Sequence, residues 1–130
     1  MGALLAEAEA GNLDIAIGEL DRFLAEAQST GEHWSDAELY RIRGELLLKR
    51  DPANTAPAED AFSTAITIAQ QQRARSFELR SAMSMARLWR DQGKRDGARD
   101  LLAPVYGWFT EGFDTLDLKE AKGLLDELAA

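Results

Sequence analysis

The sequence predicts an all-α fold, an α-solenoid of about three antiparallel helix pairs closed by a C-terminal capping helix. Three observations carry that prediction. Strong helix formers (Ala, Leu, Glu, Arg) run throughout, and only three prolines interrupt them. Apolar residues recur at three- and four-residue intervals in one segment after another. Alanines at 16, 58 and 98 lie 42 and 40 residues apart, a period in the range of helical-pair repeats.

The register is clearest between Ser76 and Phe109. Ala82, Met85, Ala86 and Trp89 form one apolar seam, Gly93 breaks it, and Ala98, Leu102 and Val105 form a second. Small Ala86 and Ala98 mark where two helices approach closely, with Trp89 and Leu102 filling the space around the crossing.

Upstream, Leu4–Ala10 reads as a short helical piece ending at Gly11. Asn12 is the expected N-cap of a helix running to about Gln28, with Ile15, Ala16, Leu20, Phe23, Leu24 and Ala27 on one face. Ser29-Thr30-Gly31 stops it. Gly11, Ala16, Leu20 and Phe23 repeat the spacing of Gly93, Ala98, Leu102 and Val105, so this is the second half of a truncated first pair.

Ser35-x-x-Glu38 has the form of a capping box, which opens a helix carrying Leu39, Tyr40, Ile42, Leu46 and Leu47. Gly44 stands where the next pair has Ala86. An interior glycine costs about 1 kcal/mol relative to alanine, so a packing reason is expected there. A loop spans Asp51 to Ala56, and Pro57 is tolerated in the first turn of the next helix. Ala58, Phe62 and Ala65 repeat the spacing again, and Ser76 is expected to cap the third pair.

Pro104 removes one backbone hydrogen bond and clashes with the carbonyl of Asp100. That costs about 3 kcal/mol inside a helix and predicts a kink or restart at 103–104. A loop from Thr110 to Thr115 leads to a second capping box, Asp117-x-x-Glu120. The last helix then presents Leu118, Ala121, Leu124, Leu125 and Leu128 as one stripe, anchored by Tyr106, Trp108, Phe109 and Phe113. The units are 1–31 (a partial first repeat), 33–74, 76–110 and the capping helix 116–129, all within one domain.

Composition narrows the function classes. At 130 residues, 45% hydrophobic and 29% charged, the chain is too apolar for disorder. No segment approaches the roughly 20 apolar residues of a membrane span, and Met1-Gly2-Ala3 leads into Leu4-Leu5-Ala6-Glu7 without a secretion signal. Zero cysteines exclude disulfides and fit a cytoplasmic protein. A net charge of −8 argues against nucleic acid, whose binding depends on neutralising phosphates. The charge is uneven: 1–35 and 104–130 are acidic, whereas 76–103 is net positive through Arg80, Arg87, Arg90, Lys94, Arg95 and Arg99.

Catalysis finds no candidate set. His33 is the single histidine, beside Trp34 in an inter-helix turn, and it reads as a surface or packing residue. Neither Gly-x-x-x-x-Gly-Lys-Ser/Thr nor Gly-x-Gly-x-x-Gly occurs. Glu111, Asp114 and Asp117 lack the spacing of a calcium loop, and capping explains them better. The chain is therefore expected to be no enzyme, with no catalytic residue, no metal and no cofactor.

Ala86, Trp89, Gly93, Ala98, Leu102 and Val105, and Gly44, Leu47, Ala58, Phe62 and Ala65 before them, form a pattern that resembles the tetratricopeptide repeat (TPR) family. The runs Ala37 to Leu48, Arg75 to Arg80 and Leu102 to Thr115 are similar to the C-terminal region of bacterial adenylate/guanylate cyclase-like proteins and predicted ATPases. The resemblance implies a right-handed solenoid and a non-catalytic protein-protein interaction scaffold, the tail or a detached piece of a bacterial signalling architecture. It also implies a concave groove lined by the first helix of each pair: Glu38, Arg41, Glu45 and Lys49, then Arg80, Met83, Arg87 and Arg90. Arg80, Arg87 and Arg90 share one helical face and suit an acidic protein or peptide partner. Glu45 and Ser84 stand where the family's carboxylate-clamp form has asparagines, so chaperone-tail binding is not expected. The alternative is a regulatory ligand-sensing domain for a small acidic molecule. The incompletely capped N-terminal end further predicts weak self-association.

Overall fold

The three-and-four spacing becomes helix over most of the chain. The computed structural model describes residues 12–111 and 115–129. Among them the regular elements are all α-helices: α1 Leu13–Thr30, α2 Asp36–Arg50, α3 Ala56–Gln71, α4 Arg75–Asp91, α5 Arg95–Gly107 and α6 Leu116–Ala129. The short helix expected over Leu4–Ala10, and Gly11, Gly112, Phe113 and Asp114, lie outside the described residues.

Each helix packs on the next in the chain, and α4 additionally touches α2 and α6. Ion pairs fix the directions. Asp14 meets Arg50 and Asp21 meets Arg43, so α1 and α2 run antiparallel. Arg80, Arg87 and Arg90 meet Asp117, Glu120 and Glu127 in ascending order, so α4 and α6 run the same way.

Two sets of positions related by the 42- and 40-residue shifts have the same fate. Ala16, Ala58 and Ala98 are fully buried, and so are Leu20, Phe62 and Leu102. The core forms two clusters. The first gathers side chains from α1 to α4, the second from α4 to α6, and Trp89 and Leu101 pack against both. Trp89 is further held by its indole N–H, which donates to Glu59 Oε1 at 3.0 Å.

Gly44 has the packing reason its position called for. A Cβ built there would lie 2.5 Å from Cε1 and 2.8 Å from Cδ1 of the Phe62 ring. That ring is fully buried, so it could give way only by displacing the core packed around it. The register also reaches the turns. Gly31 and Arg73, 42 residues apart, both adopt positive φ, at 77° and 54°. At Gly31 the left-handed conformation costs a glycine nothing; at Arg73 the Cβ crowds the backbone. The turns at 72–74 and 92–94 share one hydrogen-bond pattern, with Ala74 N–H donating to Ala69 O and Lys94 N–H to Trp89 O. The left-handed residue is arginine in one and Gly93 in the other.

Several expected caps are built differently. Ser35 precedes α2 but makes no side-chain cap bond, and the Glu38 carboxylate turns to the Arg41 guanidinium at 2.9 and 3.1 Å. Asn12 likewise caps α1 only through its carbonyl, which accepts from Ala16 N–H. Ser76 lies inside α4, whose cap position is Ala74. Thr115, not Asp117, caps α6: its Oγ1 accepts from Leu118 N–H at 3.4 Å. Asp117 and Glu120 are drawn across to α4. Nor does the chain restart at 103–104. α5 runs through Pro104 to Gly107. Only three helical residues follow the proline and its ring is exposed, so one lost hydrogen bond near the end does not break the element.

Gly44→Ala sets helix propensity, which favours alanine by about 0.8–1 kcal/mol, against the fixed Phe62 ring. Overpacking is expected to win, lowering stability in urea unfolding by about 1–3 kcal/mol. Phe62→Leu should cost less in that background than in the native chain. A more stable Gly44→Ala would contradict the packing account. Arg73→Gly is expected to raise stability by about 0.5–1 kcal/mol, the relief of the left-handed strain less the added freedom of the unfolded glycine.

Candidate functional site

Seven- and three-residue spacing puts Arg80, Arg87 and Arg90 along one side of α4, where α6 lies against them. Arg80 Nε donates to Asp117 Oδ2 at 2.8 Å, and its Nη1 reaches Glu38 Oε2 on α2 at 3.4 Å. Arg87 reaches Glu120 at 3.4 Å. Arg90 bonds Glu127 at 2.9 Å and Asp91 at 3.1 Å. Arg95 adds a hydrogen bond to the backbone carbonyl of Glu127. The bond from Asp117, ahead of the opposing cost of burial, raises the Arg80 guanidinium above its ordinary pKa. The Glu127 bond does the same for Arg90. The positive middle of the chain is thus met by its own acidic end.

The other expected groove residues are dispersed. Arg41 is tied to Glu38 beside it. Met83 is buried in the second core cluster with Leu118, Leu124 and Leu128 of α6. Glu45 does come together with Arg87 and Arg90, lining one pocket with Leu48 and Gln92. Lys49 is exposed at the end of α2.

A different concavity lies at the C-terminal end of α1. Phe23, Glu26, Ala27 and Thr30 of α1, Glu32 and Trp34 of the turn, Ser35, Glu38 and Leu39 of α2, and Phe77 and Arg80 of α4 line a cleft of about 640 Å³. Its volume lies within the range of ligand pockets. Phe23 corresponds to Ala65 and Val105, yet Phe23 is 37% exposed whereas Ala65 is fully buried. Trp34 is 72% exposed beside it. Guanidinium groups already lie near two of the rings, Arg22 5.8 Å from the Phe23 centroid and Arg80 6.0 Å from that of Phe77. Sequence reasoning did not assemble this cleft. The available signal was a large apolar residue, Trp34, in a turn.

His33 Nδ1 lies 2.8 Å from Asp36 Oδ2, and the backbone carbonyl of His33 accepts from Gln72 Nε2. The pair ties the turn to α2 and to the end of α3. Of the aromatic anchors, Tyr106 and Phe109 pack against the second core cluster. Trp108 is exposed, stacked edge-on with Phe109 and covered by Arg75 at 4.9 Å. Among the described residues no three metal-ligating side chains gather, and no helix is long and apolar enough to cross a membrane. The chain matches no family model, no curated protein and no solved structure.

Arg80 neutralises two partly buried carboxylates, whereas Arg87 holds one exposed partner at longer range. Arg87→Met is expected to cost under about 0.5 kcal/mol in chemical unfolding, in line with exposed ion pairs. Arg80→Met should cost about 1–2 kcal/mol, because hydrogen bonds to charged groups are lost and the partly buried Asp117 loses its cation, while Arg41 still holds Glu38. Equal costs for the two variants would show that the α4–α6 pairs act as a uniform screen.

Proposed function

We propose that the chain is a TPR-like, right-handed solenoid of about three helix pairs with a capping helix, acting in the cytoplasm as a non-catalytic protein-protein interaction scaffold. On this reading it is the tail or a detached piece of a bacterial signalling or regulatory assembly. The matched burial of register-equivalent residues and the side-by-side row of α2, α4 and α6 support the architecture. One observation carries the function: an open, aromatic-walled cleft at the C-terminal end of α1. The internal pairing of Arg80, Arg87 and Arg90 weighs towards partner recognition at this cleft and away from a small acid captured on the arginine row.

Photo-crosslinking tests the scaffold. A photoreactive residue in place of Trp34 should capture a discrete protein from the source cells. The same residue in place of exposed Thr67 on α3 should not. Identical adducts from both positions would speak against a defined docking site. A lack of protein adducts, together with a rise in melting temperature on adding small carboxylic acids, would favour the ligand-sensing alternative.

A further inference from the structure

We infer that the cleft accepts a basic side chain, an arginine or lysine carried on an apolar segment of a protein partner, and not an acidic one. This rests on the scaffold reading and assigns its partner the opposite charge from the one the arginine row suggests.

The argument is a local charge balance. Arg80 is the cation lining the cleft, and it is held between Asp117 and Glu38. Arg41 also holds Glu38, so two guanidinium groups and two carboxylates balance one another and no positive charge is left over for a ligand. Glu26 and Glu32 lie exposed at the rim, and neither carboxylate has an ion-pair or hydrogen-bond partner among the described residues. The cleft is therefore net negative.

Its walls favour the same sign. The π-face of an aromatic ring is negative and attracts cations, tryptophan most strongly. Trp34 is the most exposed large apolar residue of the described chain and lies against no ring or guanidinium there. Phe23 and Phe77 show that guanidinium groups settle beside these rings, since Arg22 and Arg80 already do so. Trp108 supplies an internal comparison, an exposed tryptophan whose face Arg75 already occupies. Aromatic walls with free carboxylates at the rim suit a cation with an apolar stem, which is what arginine and lysine side chains are.

The test uses two peptides, acetyl-Leu-Arg-Leu-Arg-Leu-amide and its counterpart with glutamate in place of arginine, titrated into the 15N-labelled chain. The indole N–H signals of Trp34, Trp89 and Trp108 report where each binds. The arginine peptide is expected to move the Trp34 signal saturably and leave Trp108 in place. Glu26→Gln with Glu32→Gln, both at exposed positions, should weaken binding roughly tenfold, the scale of losing two rim charges and their support of a cation–π contact. Saturable binding of the glutamate peptide at Trp34 would overturn the charge assignment and leave the scaffold reading intact. An arginine-peptide affinity unchanged in the double variant would reduce the effect to general attraction by an acidic protein and overturn the site. A Trp34 shift that depends on protein concentration without any peptide would assign the cleft to a second copy of this chain. If neither peptide moves Trp34, the inference fails, and crosslinking at Trp34 decides separately whether the scaffold reading fails with it.

Discussion

The rest of the fold depends on α4 being enclosed. Four helices lie against it: α2, α3, α5 and α6. A helix in that position cannot carry a bulky stripe on every side, because its neighbours must reach van der Waals contact from several directions at once. The sequence Ser81-Ala82-Met83-Ser84-Met85-Ala86 answers that constraint. All six residues are buried, and four of them are small. The hydroxyls of Ser81 and Ser84 find no hydrogen-bond partner among the described residues. A buried polar group left unpaired costs roughly 1–3 kcal/mol, so size rather than polarity explains why serine can stand there.

Charge is organised around the same helix. Where α4 leaves the apolar seam it turns outward with arginines, and α2 and α6 supply carboxylates on either side. Exposed ion pairs contribute little stability, so their structural effect is on register. The ascending order of partners fixes how far α6 slides along α4, a matter that the leucine stripe of α6, repeating every turn or so, settles less sharply. The alternatives with α6 shifted by one turn would place arginine against the wrong step of the acidic ladder.

What was legible in the sequence, and what was not, divides by the range of the interaction. Gly44, Ala58, Ala86 and Ala98 were readable because helical periodicity converts sequence spacing into a face, and a repeat shows the same face more than once. The turn at Gly31 was readable from glycine chemistry. Asn12 and Ser35 hold the cap positions without the side-chain bonds, and Asp117 misled as a cap because a local motif competes with partners far along the chain. Asp117 lies 37 residues from Arg80, and no local rule brings them together. The arginine row was visible as a row, but of its acidic partners only Asp91, beside Arg90, is close in sequence. Glu78 is held by Arg75 and Gln70. The cleft stayed hidden for the same reason. Phe23, Trp34 and Phe77 come from three elements, and only the stacking of α1, α2 and α4 makes them neighbours.

The two core clusters are built from different helices, yet both include α4 and both touch Trp89. In a repeat array, each unit that borders only its neighbours can melt from the ends inward. Here the shared helix removes that option for most of the chain. Losing either cluster strips one side of α4 and exposes apolar surface that the other cluster needs. Among the described helices fraying is left to α1 and the end of α6, while those between open as one cooperative unit. The amides along Glu78 to Leu88 would then exchange with solvent only when the whole molecule unfolds, and Trp89 fluorescence would report that same global event.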